Sequence, residues 1–157
     1  MKKIYDQKLI NKVKERYKIE DYFSNKYEFI MIEYEQGETM INPLEKTSYI
    51  QFVVEGTLLI SFIDLEGKQT IVSQSEELCI LGDMEFVDDL NPMFFAEAKT
   101  KVKTIALSLK KYKECLNQDL QFLHTLLNSI AYNDIFYLKY KEGKIILLTR
   151  SNHKYVI

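Results

Sequence analysis

Residues Ile50–Lys68 read IQFVVEGTLLISFIDLEGK. Ile50, Phe52 and Val54 alternate with Tyr49, Gln51 and Val53, the two-residue period of a strand with one face buried. Glu55-Gly56 interrupts the run, and LEGK between two β-rich stretches signals a hairpin. The same period extends outward from Tyr27 to Leu109. EFIMIEY (Glu28–Tyr34) breaks at Gln36-Gly37 before ETMI, and FFAEAKTKVKTIALSL (Phe94–Leu109) adds the last strands. Short strands at close spacing with glycine-containing turns predict a closed or sandwiched all-β body.

The flanks follow a different rhythm. Tyr5, Leu9, Ile10, Val13 and Tyr17 lay one apolar stripe along an amino-terminal helix within residues 1–26. After Lys110, Leu116, Leu120, Leu123, Leu127 and Ile130 step by four and three, and the register continues to Asp134 and Tyr137. Phe122, Leu126 and Phe136 widen that stripe. Residues 110–140 therefore read as a helical segment. It either packs on the β body or forms the seam of a dimer, and a repeat of only about three heptads favours packing on the body where periodicity alone is weighed. Gly143 ends the pattern, leaving 141–157 as a tail or a final strand.

Composition narrows the classes of function. Of 157 residues, 46% are hydrophobic and 28% charged, as in a globular domain. The formal net charge is −2, and only Arg16 and Arg150 among the 21 basic residues are arginines, which argues against a nucleic-acid face. Cys79 and Cys115 are too few for a disulfide framework, so a cytoplasmic setting is expected. The longest apolar run, IILLT (Ile145–Thr149), is too short to span a membrane. His124 falls on the helical segment and His153 near the end, so no histidine pair stands on a strand to hold a metal. No nucleophile–base constellation stands out, and the expectation is a binding protein without cofactor, not an enzyme.

The stretch ILGDMEFVDD (Ile80–Asp89) carries the functional question. Strand, glycine and short helix is a common cradle for a phosphate, because backbone N–H groups converge on an anion. Here the cradle is lined with carboxylates.

YEQGETMI (Tyr34–Ile41), IQFVVEGTLLISFIDLEGK and LGDMEFVDD…FFAEAKTKVKTIALS, in that order and spacing, resemble the sensor half of the cAMP receptor protein/Fnr (Crp/Fnr) family of bacterial transcription regulators. The resemblance implies a mainly β fold with flanking helices: a cyclic-nucleotide-binding-like β-roll, or jelly roll, over 27–109, followed by a long carboxyl-terminal dimerisation helix. It implies a homodimer through Leu116, Leu120, Leu123, Leu127 and Ile130. It also implies a phosphate-binding cassette. Gly82 takes the family's glycine position, Asp83 replaces its ribose-binding glutamate, Met84 fits the third position, and the phosphate-binding Arg-Ser pair falls at Pro92-Met93. These five residues are the candidate effector pocket.

The departure from the pattern is chemical. No arginine lies between Arg16 and Arg150 to take over. A missing arginine leaves a buried phosphate short by ~3–5 kcal/mol. Each of Asp83, Glu85, Asp88 and Asp89 within ~5 Å would add repulsion of roughly 3 kcal/mol at an effective dielectric near 20. Cyclic AMP is therefore not the expected effector, and Met84, Phe86, Met93, Phe94 and Phe95 point to an apolar interior. The family's winged helix-turn-helix has no counterpart in the twenty residues after Tyr137, so DNA contact is expected only through a domain missing from this chain. The alternative is a free-standing domain of the same fold that binds a small effector or a protein partner.

Overall fold

The computed structural model describes residues 1–63, 67, 69–75, 78–88, 92, 94–132, 135–141, 144–149 and 154–156. The chain opens with a short strand, β1 (Lys2–Ile4), absent from the sequence expectation, and a helix, α1 (Gln7–Tyr17). The Asp6 carboxylate caps α1, accepting the N–H groups of Lys8 at 3.0 Å and Leu9 at 3.2 Å. Lys18 in a left-handed conformation ends it, and a 3-10 turn (Ile19–Tyr22) follows.

The β body comprises β2 (Ile30–Tyr34), β3 (Thr39–Ile41), β4 (Tyr49–Glu55), β5 (Leu58–Ile63), β6 (Gln69–Ser75), β7 (Ile80–Leu81), β8 (Phe95–Ala98) and β9 (Val102–Ser108), with a short helix, α2 (Asp83–Asp88), after β7. They form two antiparallel sheets, ordered β1-β2-β9-β4-β7 and β3-β8-β5-β6. This is the expected β-roll. The hairpin read at LEGK is present in the β5–β6 register, from Leu58 opposite Ser75 to Ile63 opposite Gln69, although Leu65, Glu66 and Lys68 lie outside the described residues.

The alternation on β4 has a different meaning from the one expected. Both of its faces are buried, because the strand separates two cores. Ile50, Phe52 and Val54 pack with Ile10, Phe23, Ile105, Leu107, Phe122 and Leu126 beneath the helices. Val53 packs with Ile32, Tyr34, Met40, Leu58, Ala96 and Ala106 between the sheets. Gln51, polar and only 3% exposed, sits on the roll-facing side of β4. Gly56 lets β4 turn into β5: at φ +95° it lies so close to the Lys101 carbonyl that a Cβ would sit 2.2 Å from that oxygen.

A single long carboxyl-terminal helix does not form. The segment divides into α3 (Leu109–Asn117) and α4 (Leu120–Tyr132), with the break at Gln118-Asp119. The break was hidden because Leu116 and Leu120 keep the helical spacing across it. The register also fails to reach Tyr137. Ile135 begins a strand, β10 (Ile135–Lys141), which pairs with β11 (Lys144–Thr149) and through it with β12 (Lys154–Val156). The β-branched and aromatic residues of IFYLKY favour that strand over a helical continuation. Residues 141–157 are thus not a loose tail throughout. Among the described residues no helix is long and apolar enough to cross a membrane.

Candidate effector site

The cassette forms where β7 runs into Gly82. At φ +86° Gly82 lets the chain turn into α2, and a Cβ there would approach the Tyr49 carbonyl oxygen to 2.7 Å. The Phe86 N–H donates to the Gly82 carbonyl at 3.0 Å and holds the first turn. Phe86 then points into the helical core, edge-on to Phe122 with ring centres 5.3 Å apart.

Asp83 is 5% exposed. Its Oδ1 accepts the Met84 N–H at 2.9 Å, and its Oδ2 accepts the Ser129 hydroxyl of α4 at 3.0 Å. The acid at the position that the resemblance gives to a ribose contact is therefore tied to α4. Glu85, half-buried beside it, has its pKa raised, first by burial and further by the charge of Asp83. Burial and the same charge push the Cys79 thiol up to about 12, so it is no nucleophile.

A cleft opens over this turn. Its apolar wall includes Ile41, Ile60, Phe94 and Phe95, and its polar groups are Ser73, Ser75, Asp83 and Glu85. No lysine or arginine is among the described residues that line it. The nearby strand lysines are engaged on the outside: Lys99 with Gln74 at 2.7 Å, Lys101 with Glu35 at 3.1 Å, and Lys103 with Glu55 at 2.7 Å. A lining of this kind suits an apolar or hydroxyl-bearing molecule better than an anion.

Of the five residues expected to form the pocket, Gly82, Asp83 and Met84 line the cleft. Pro92 is buried but is not among the lining residues, and Met93 lies outside the described residues. Glu85, read from sequence as a cassette carboxylate but not as one of the five pocket residues, lines the cleft too, and Ser73, Ser75 and Ser129 join the site without any such reading. Glu85 had a signal in its place three residues after the glycine. The serines come from β6 and α4, elements whose proximity only the fold reveals.

The five residues read as a dimer seam separate into different environments. Leu116 is fully buried, Leu123 and Ile130 are half-buried, and Leu120 and Leu127 are 77% and 67% exposed. The inner face of α4 is carried by Phe122 and Leu126, at 0% and 1% exposure.

Asp119 fixes the break between α3 and α4. It is fully buried, and five donors meet its carboxylate: the N–H groups of Ser24 (2.8 Å), Asn25 (3.1 Å) and Phe122 (3.1 Å), the Asn25 amide (3.3 Å) and the Tyr27 hydroxyl (3.0 Å). Burial alone would raise its pKa, but these bonds, led by the Ser24 and Phe122 N–H groups, hold it down to about 2. The same carboxylate, with burial as the larger cause, pushes the Tyr27 phenol up to about 12.

No family profile matches the sequence, and neither does any curated protein. Solved structures do match. A triple mutant of the regulatory subunit of a cAMP-independent protein kinase A from Trypanosoma brucei, bound to cAMP in the A site, has 22% identity and a TM-score of 0.56; the match covers 64% of this chain and 36% of that one. The corresponding Trypanosoma cruzi subunit bound to guanosine has 22% identity and a TM-score of 0.52, over 66% of this chain and 40% of that one. The sensor domain of the transcriptional regulator DNR from Pseudomonas aeruginosa has 17% identity and a TM-score of 0.53, over 66% and 72%. The chain therefore has the fold of cyclic-nucleotide-binding domains, and it spans less than half the length of the two kinase subunits.

Proposed function

We propose that this chain is the effector-sensing and dimerisation half of a Crp/Fnr-type transcription regulator, and that its cassette takes an uncharged, nucleoside-like effector in place of cAMP. It acts by binding and is not an enzyme. The carrying observation is the charge of the cleft: its described lining holds two carboxylates, Asp83 and Glu85, and no lysine or arginine to meet a cyclic phosphate. Carboxylates and serine hydroxyls suit sugar hydroxyls and base N–H groups, which donate hydrogen bonds and bring no charge.

Two of the similar structures support the reading. One kinase subunit is bound to guanosine. The other, bound to cAMP, carries three substitutions: a glutamate to alanine, then, seven and eight residues on, a threonine to arginine and a valine to alanine. Glu85 precedes Pro92 and Met93 by the same intervals. The bond from Ser129 to Asp83 gives the effector a route to α4, since a ligand that takes up Asp83 competes with the helix for it. The exposed Leu120 and Leu127, seven residues apart on α4, support a homodimer. In this arrangement Leu127→Glu separates the dimer, whereas Leu123→Glu strikes the fold's own core.

Calorimetry on the wild-type chain and on a Glu85→Ala/Pro92→Arg/Met93→Ala variant tests the ligand claim. The expected pattern is guanosine or adenosine binding and no cAMP binding for the wild type, with cAMP binding gained in the variant. Micromolar cAMP binding by the wild type would overturn it. The alternative of a free-standing domain draws on β10–β12, because the described residues after α4 form an antiparallel sheet. DNA retention by the purified full-length protein separates the two.

A further inference from the structure

The roll has a second chamber, apart from the cassette. Ile41 lines both cavities, and on its far side lies a space of about 370 Å³ between β1, β4 and the connection from β3 to β4. Its polar floor is Gln51, whose Oε1 accepts the hydroxyls of Tyr34 at 2.9 Å and Thr104 at 3.0 Å. Thr104 is fully buried and Tyr34 is 2% exposed. The Gln51 amide nitrogen is left without a partner among the described residues, yet it is not sealed off, and Gln51 is a wall of the chamber. A buried amide with unused N–H groups is costly, and an apolar residue would fill a roll interior without that cost.

Two further donors stand on the same wall. Tyr49 lies two residues before Gln51 on β4 and faces the same side. Lys3 on β1 donates to the Tyr49 hydroxyl oxygen at 2.9 Å, which leaves the phenol proton free to donate onward. Lys46 and Glu45 also line the chamber with opposite charges, and the Met1 ammonium there is paired with Glu38, so Lys3 sets its sign. The Thr47 hydroxyl on this wall lacks a partner too, but it is sealed from the space and offers a ligand nothing.

We propose that this chamber binds a small organic carboxylate, with the Gln51 amide and the Tyr49 hydroxyl donating to its oxygens and the Lys3 ammonium neutralising it. The donor set contains one fixed cation and two neutral donors, which matches a carboxylate's two oxygens and single charge. The site does not depend on what the cassette binds.

The test is a titration of the ¹⁵N-labelled full chain with acetate, succinate and the uncharged succinamide, followed by NMR. The side-chain amide pair of Gln51 reports directly, together with the backbone amides of Thr39 and Tyr49. Either acid is expected to shift these signals saturably, and succinamide is expected not to. Lys3 is exposed, so Lys3→Met is expected to fold normally and to weaken binding about tenfold or more, with Lys3→Arg restoring it. The proposal is overturned if neither acid gives a saturable shift by about 10 mM, where a weak site would already fill. It is equally overturned if succinamide shifts the same signals as strongly, or if Lys3→Met leaves the titration unchanged.

Discussion

Two buried aspartates stand at helix starts in this protein and do opposite work. Asp119 precedes α4 and collects five donors from two segments, residues 24–27 and the first turn of α4. Asp83 opens α2, is tied to Ser129, lines an open cleft and has a second carboxyl, Glu85, beside it. Burial is nearly the same, at 0% and 5% exposure. What differs is whether the surroundings were arranged to satisfy the charge. A carboxylate met by converging N–H groups is architecture; one that crowds another acid against a cavity is a candidate site.

The sharpest way to break this contrast is to remove each carboxylate. Asp119→Ala should cost ~3–5 kcal/mol, because three backbone N–H groups, an amide and a phenol lose their acceptor together. Asp83→Ala should change stability by only about 1 kcal/mol, since relief of repulsion with Glu85 offsets part of the lost Ser129 and Met84 bonds. Urea denaturation of both variants checks this, and equal losses would erase the distinction.

Acid titration gives a smaller effect. Asp119 has a depressed pKa, so its contribution is fully present above the ordinary aspartate value near 3.8 and is lost as pH falls toward about 2. That loss amounts to about 2 kcal/mol and should vanish in Asp119→Asn. Glu85 runs the other way: its pKa is raised, so stability falls as pH rises from its ordinary value of 4.5 through the elevated one. Denaturant midpoints measured from pH 2 to 7 should show both slopes.

The smallest effect sharpens the same point. Glu85→Gln should stabilise the fold slightly at pH 7, by a fraction of a kcal/mol, because a half-buried charge is exchanged for a neutral isostere. A clear loss of thermal stability would mean that Glu85 is held by partners as Asp119 is.

The roll was legible in the sequence because its signals are local. Alternation around Gly56 and the Gly82 turn depend on neighbours a few residues away. The acidic character of the cassette was legible for the same reason. Three things were not. That β4 is buried on both faces depends on what covers each side, and a two-residue period reads alike against solvent or a second core. The break at Asp119 lies within an apolar spacing that stays in helical register, and four of the five donors that justify it come from residues 24–27. Ser129 looks like an unremarked helix-surface serine until α4 is laid across the cassette. Each depends on a contact between residues far apart in the chain, which pattern reading cannot weigh.

The Asp119 clamp also bears on the order of assembly. It joins residues 94 and 95 positions apart along the chain, and the whole roll lies inside the loop that it closes. The entropy of closing so long a loop must be met before these bonds form, so the clamp is made late, after the strands have brought its ends together. Interactions formed after the barrier act on the escape rate. Loss of the clamp should therefore leave folding speed nearly intact and hasten unfolding, which makes Asp119 a determinant of how long the native state lasts.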